Sequence, residues 1–226
     1  MPTARESRAA LTLVTGAAVG AVQRLLASLT GSPEAQRADL LDAVPSIIAY
    51  YADGTSALAA DFYDDERERA AARGRFTAEP VVVDRDEKIR RAIAWASQPM
   101  FEETLDATVE SRLAEVVQLE TARPHRDTIT TNRRRDPEAV GWRRVASGGC
   151  KFCSMLAAKG AIYREDTVRF ASHPHCQCTA WPAFRTNDDG SEVGVMEYVA
   201  SKRRRSPAEK ERLRDYLNQH FPDVHG

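Results

Sequence analysis

The reading of the fold turns on residues 5–30, RESRAALTLVTGAAVGAVQRLLASLT. Leu11, Val14, Ala18, Val22, Leu25 and Leu29 recur there at steps of three and four, which aligns them along one face of an α-helix. Gly31-Ser32-Pro33 ends that helix, and Ser32 with Pro33 can open the next as capping residue and first helical residue. A second stripe, Leu40, Leu41, Val44, Ile47, Ile48 and Tyr51, extends through Leu58 and Phe62 into a polar segment. Asp53-Gly54 is the point at which this helix could break in two.

Working outward, Ala78-Glu79-Pro80-Val81-Val82-Val83 reads as an extended piece or short strand, because β-branched residues follow a proline. Helical spacing resumes with Ile89, Ala92, Ile93 and Ala96, and again after Pro99 with Leu105, Val109, Leu113 and Val116. Asp84, Asp86 and Glu87 suit the positive end of the helix that follows them. Residues 1–120 are therefore expected to form a helical region whose stripes are core rather than binding faces. Beyond Thr121 the character changes, and glycine, cysteine and histidine concentrate between Gly141 and Pro182. Ser206-Pro207-Ala208-Glu209 then signals one more helix start, with Leu213, Tyr216 and Leu217 on its apolar side and Pro222 as its stop.

Composition agrees with a mainly α fold. The chain has 226 residues, 42% of them hydrophobic and 29% charged, but only 7% aromatic. That mixture can bury a core and favours helices over a β-sandwich or barrel. Thirty-two basic residues against thirty-three acidic ones argue against a general nucleic-acid binder, which would show a strong basic excess. Two local basic runs stand out, Arg133-Arg134-Arg135 and Lys202-Arg203-Arg204-Arg205; each reads first as a solvated surface and second as a DNA or partner contact. The N-terminus mildly imitates a signal peptide, but Glu6 and Ser7 break its opening region, so synthesis in the cytoplasm and no membrane contact are expected.

The sharpest chemical signal is Cys150-Lys151-Phe152-Cys153, followed by His173-Pro174-His175-Cys176-Gln177-Cys178. Two cysteines separated by two residues in a tight turn can aim both sulfurs at one point, as half of a zinc site does. The second half pairs His173 with Cys176 and His175 with Cys178 at the same separation. The candidate ligands are Cys150, Cys153, His173, Cys176 and Cys178, with zinc as the implied ion in a closed site that stabilises folding. Three other states remain open: a redox pair without a surrounding βαβ pattern, disulfides, and buried reduced thiols. A catalytic histidine partnered by Ser154, Glu165 or Asp166 can be drawn, but a histidine among cysteines is more often a ligand.

Gly141-Trp142-Arg143-Arg144-Val145, the Cys150-x-x-Cys153-x-x-Leu156 run, Gly160, Tyr163 and the His173–Cys178 run together resemble the signature of MuF-like phage head morphogenesis proteins, in the form found in phages of actinobacteria. The resemblance covers residues 120–185 strongly and the helical half only in general character. Gln177 stands where arginine is more common, and His175 occupies a variable position.

The resemblance implies a minor capsid protein at the portal vertex inside the virion. Its partners would be portal and capsid or scaffold subunits, and its role head assembly and DNA packaging or ejection. Arg133, Arg134, Arg135, Lys202, Arg203, Arg204 and Arg205 would be the residues that contact packaged DNA. The expected architecture is a mainly α fold with a helical N-terminal region (1–120), a small α+β Cys/His module (121–185) and a C-terminal linker and helix (186–226). No enzyme is expected; the alternative is a capsid maturation protease or zinc-dependent nuclease using the same cluster.

Overall fold

The computed structural model describes residues 4–102, 108–146, 151–158, 178–185 and 206–220. Helix α1 (Ala4–Ser28) forms as the periodicity requires, with Leu11, Ala18 and Val22 buried and Val14, Leu25 and Leu29 half-buried. Gly31 takes the left-handed conformation (φ 97°) that a tight interhelical turn demands. Ser32 then caps α2 (Pro33–Arg69): its hydroxyl accepts from the Ala35 N–H, and Pro33 supplies the first helical residue.

Helix α2 does not break at Asp53-Gly54; it continues for 37 residues. A single glycine costs a helix only about 1 kcal/mol. Leu40, Val44, Ile48, Ala52, Ala59, Phe62 and Tyr63 are all buried on either side of the dipeptide, and that burial outweighs the loss. Pro45 does interrupt the helical ladder, since it has no N–H to offer the Leu41 carbonyl. That carbonyl instead accepts from Arg90 Nη1 at 2.7 Å, which ties α2 to α3 (Asp86–Ala96).

Residues 78–83 are extended but form no strand. They lie along α4 (Val109–Arg135), whose side chains at one-turn spacing act as a substitute strand. The Glu79 N–H donates to Asn132 Oδ1 at 2.9 Å while Asn132 Nδ2 donates to the Glu79 carbonyl at 2.8 Å, and the Val81 N–H donates to Thr128 Oγ1 at 2.9 Å. Leu105 lies outside the described residues. The compositional change after Thr121 falls inside α4, which runs through it unbroken and carries both halves of the fold.

After α4 come β1 (Ala139–Val145), α5 (Lys151–Ala158), β2 (Thr179–Phe184) and α6 (Pro207–His220), with a short 3₁₀ turn at Gln98–Met100 earlier in the chain. The two strands pair antiparallel, from Ala139 opposite Phe184 to Val145 opposite Thr179, with an irregularity between Ala139 and Gly141. The protein is thus mainly helical with a small two-stranded sheet near its C-terminal end. Helix α6 begins at Pro207 as its capping sequence predicts; the side chains of Leu213, Tyr216 and Leu217 and the Pro222 stop lie outside the described residues. Helix α5 packs on β1, and Lys151 Nζ donates to Asn218 of α6 at 2.6 Å.

Two cores result. One is aliphatic and joins α1, α2, α3 and the first half of α4 through Ala18, Val22, Leu40, Val44, Ile48, Ile93, Leu113 and Val117. The other joins the second halves of α2 and α4 to the sheet through Phe62, Tyr63, Ile129, Trp142, Ala180 and Phe184.

Candidate functional site

Because Val145 is paired with Thr179, the chain leaving β1 and the chain entering β2 sit side by side at one end of the sheet. The Cys150–Cys153 run follows the first of these and the His173–Cys178 run precedes the second, so both halves of the motif are rooted at the same mouth. An arginine holds each root. Arg8 of α1 donates from Nη1 to the Ala146 carbonyl at 2.5 Å, and Arg126 of α4 donates from Nε to the Cys178 carbonyl at 2.9 Å. Charged donors on buried carbonyls make strong, directional ties.

Of the five candidate ligands, Cys178 is fully described: it is wholly buried, one residue before β2. Cys153 lies in the first turn of α5, so a helix start stands where a tight turn was expected, and its side chain lies outside the described residues. Cys150, His173 and Cys176 lie outside them too, as do His175, Glu165 and Asp166. Among the described residues no group of three or more His, Cys, Asp or Glu side chains is placed to hold a metal ion.

Beneath the mouth lies a polar layer. His125 of α4 is buried, and its Nε2 shares a hydrogen bond with Ser7 Oγ of α1 at 3.3 Å. Burial, with a smaller contribution from the Arg126 charge, pushes the imidazole down to about 3. It is therefore neutral at ordinary pH and sealed from water, which suits a structural donor and not a general base.

The remaining buried acids are also engaged. Asp136 Oδ2 accepts from Arg67 Nε at 2.9 Å and from the Tyr63 hydroxyl at 3.4 Å, and burial raises the Tyr63 phenol well above its ordinary range. Glu66 pairs with Arg69 and accepts from Trp181 Nε1 at 2.8 Å. Glu120 takes both Nε and Nη2 of Arg85, at 2.7 and 3.0 Å. Burial raises the Asp127 carboxyl, and the nearby Arg123, Arg85 and Arg126 charges oppose that shift. This is a set of internal struts, each charge matched where it is desolvated.

The first basic run is partly spent inside the fold. Arg133 donates to the Val140 carbonyl at 3.1 Å and Arg135 pairs with Glu79 at 2.6 Å. Lys202, Arg203, Arg204 and Arg205 lie outside the described residues.

Sequence reasoning passed over Arg8, His125, Arg126 and Asp136. A usable signal existed in α4: continuing the Leu113–Val117 stripe by one-turn steps reaches Thr121, His125, Thr128 and Asn132, polar residues at core positions, all four of which are buried. Polar groups on an apolar register announce a partner across the interface.

A family model described as VG15 protein matches residues 2–201 of the chain. Neither the curated proteins nor the solved structures compared with it give a match.

Proposed function

The chain belongs to the VG15 protein family, and on that premise we propose that it is a minor head protein of a tailed phage, built into the capsid at the portal vertex. In this reading it is made in the host cytoplasm, enters the assembling head, and acts there as a structural part rather than as an enzyme. The helical region docks on portal, capsid or scaffold subunits, and the Cys/His module is a rigid knob braced against it.

One observation carries the reading. The mouth of the β1–β2 hairpin is clamped by Arg8 and Arg126, with Cys178 buried beside it, so both halves of the motif start from a fixed base. Five residues separate Val145 from Cys150 and three separate Cys176 from Thr179, which limits those arms to about 17 Å and about 10 Å of reach. Convergence of the thiols is therefore cheap in chain entropy. Four of Cys150, Cys153, His173, Cys176 and Cys178 would hold a zinc ion, for which thiolate and imidazole donors are suited. Once bound, the ion would close the module and add its binding energy to folding. Contact with packaged DNA would fall to Arg134 and to Lys202, Arg203, Arg204 and Arg205, since Arg133 and Arg135 have internal partners.

Elemental analysis of freshly purified protein, with a thiol count before and after denaturation, tests the module. One zinc per chain and thiols that react only after unfolding are expected. Four freely reactive thiols in metal-free, fully folded protein would remove the zinc. Coexpression with a portal protein tests the rest: failure to co-purify at low salt would count against the docking role, whatever the metal result.

A further inference from the structure

Helix α1 is long and apolar enough, by length and composition, to cross a membrane, yet it buries only one face, through Leu11, Ala18 and Val22. On its other face Leu13 is 74% exposed, and Tyr50 of α2, across the interhelical groove, is 75% exposed. The groove holds about 660 Å³, and Gly54 forms part of its wall. A Cβ built on Gly16 or Gly54 would meet nothing within 4 Å, so there is open space beside both knobs. Single exposed hydrophobes are ordinary, but two large ones flanking one groove mark an interaction surface.

The charges on this face say what fits it. Asp53 stands at one end of the groove, near Leu13. At the other end the Arg24 guanidinium lies over Gly20, 3.4 Å from where a Cβ would be. Both residues are exposed, and neither forms an ion pair among the described residues. Along α1 the two charges lie on opposite sides of Ala17, about 6 Å and about 4.5 Å away at 1.5 Å per residue. One patch therefore carries knobs, holes and opposite charges arranged about its own middle, which is the condition for an isologous interface.

We propose that this face pairs two copies of the chain about a two-fold axis passing near Ala17. Each Asp53 then meets the partner's Arg24, and Leu13 and Tyr50 fill the space beside Gly16 and Gly54 across the axis. A lipid surface fits less well, because it would press the Asp53 carboxylate into the apolar boundary. The pairing does not depend on the head-protein reading.

Sedimentation velocity of the full chain, over about 1 to 200 μM, tests it by mass action. A reversible dimer is expected, and Tyr50→Glu should weaken it at least tenfold. Asp53→Arg or Arg24→Asp alone should weaken it about threefold to fivefold, as exposed ion pairs do, and the double exchange should restore it. All four side chains are exposed, so circular dichroism melts should match the parent and exclude misfolding as the cause. A monomer at every concentration overturns the proposal, as does a folded Tyr50→Glu protein that still dimerises or a double exchange without recovery. Association with phosphatidylcholine vesicles in place of self-association would also overturn it.

Discussion

The two ends of the bundle are held together differently. Where α1, α2, α3 and the start of α4 meet, the core is aliphatic: Leu40, Val44, Ile48, Ile93 and Leu113 interlock with few polar atoms. Where α2 and α4 meet the sheet, the core is a small aromatic nest of Tyr63, Phe184, Trp142 and Phe62, enclosed by buried ion pairs at Glu66 and Asp136. The same two helices serve both ends, so the difference comes from what packs on them. An aliphatic core tolerates changes of similar volume, while a core ringed by desolvated charges depends on each partner being present. The sheet end is therefore the more specific and the more brittle, and it is the end that supports the Cys/His module.

The largest test of that contrast is Trp142→Ala. Trp142 is 1% exposed at the centre of the aromatic nest, and its loss should cost about 4 kcal/mol, measured by urea unfolding. If Ile48→Val in the aliphatic core costs about 1 kcal/mol, as such changes do, the asymmetry between the ends stands. Next comes Asp136→Asn. The Asp136 side chain has no exposure and its Arg67 partner only 11%, so leaving the guanidinium unmatched should cost about 3 kcal/mol. Glu87→Gln, which breaks an ion pair 68% and 85% exposed, should change stability by less than about 0.5 kcal/mol. Equal effects from the two substitutions would dissolve the distinction between buried strut and surface pair.

The aliphatic end was legible in the sequence for a physical reason. Burying one side of a helix imposes a 3.6-residue period, and Leu11, Ala18, Val22, Leu40 and Val44 carry that period locally. The starts at Pro33 and Pro207 were legible for the same reason, since caps act within four residues. The continuity of α2 through Gly54 was not, because it is decided by neighbours on α1 and α4 that no local window contains. The clamps were hidden in the same way: Arg8 and Ala146 are 138 residues apart, and Arg126 and Cys178 are 52 apart. The motif marked where chemistry gathers, while the residues that anchor its base were spread over two helices.

Acid should act between the two ends. Unfolded, the His125 imidazole takes a proton below its ordinary value of 6.5; folded, burial keeps it neutral down to about 3. Above pH 6.5 it contributes no pH dependence. As pH falls from 6.5 towards 3 the unfolded state binds the extra proton, and stability declines by up to about 1.4 kcal/mol per pH unit. Melting temperatures of the parent and of His125→Gln, compared from pH 7 to pH 4, should diverge in slope, the parent falling faster. Parallel curves would mean that the imidazole reaches water in the folded protein, and the layer joining Ser7 of α1 to α4 would not be sealed.

The smallest expected effect lies within α2, whose ends fall in the two regions. Its start is well made: Ser32 caps it in extended backbone and Pro33 follows. Its end is not. Past Arg69 the chain turns through Ala71 at φ 49°, with the Ala71 N–H donating to the Glu68 carbonyl at 2.9 Å and the Ala72 N–H to the Arg67 carbonyl at 3.1 Å. A Cβ in that left-handed conformation costs about 1 kcal/mol, and glycine would remove it. Glycine also adds freedom to the unfolded chain, which returns part of the gain. Ala71→Gly should therefore stabilise the protein by about 0.5 kcal/mol, read as a higher urea midpoint at unchanged slope. The strain is tolerated because this turn sends the chain back to Ala78, whose N–H must reach Asp64 Oδ1 at 2.9 Å before Glu79 and Val81 can dock on α4. A loss of stability in Ala71→Gly would mean that the alanine methyl itself packs in the aromatic nest, and the sheet end would owe more to close packing than to its ion pairs.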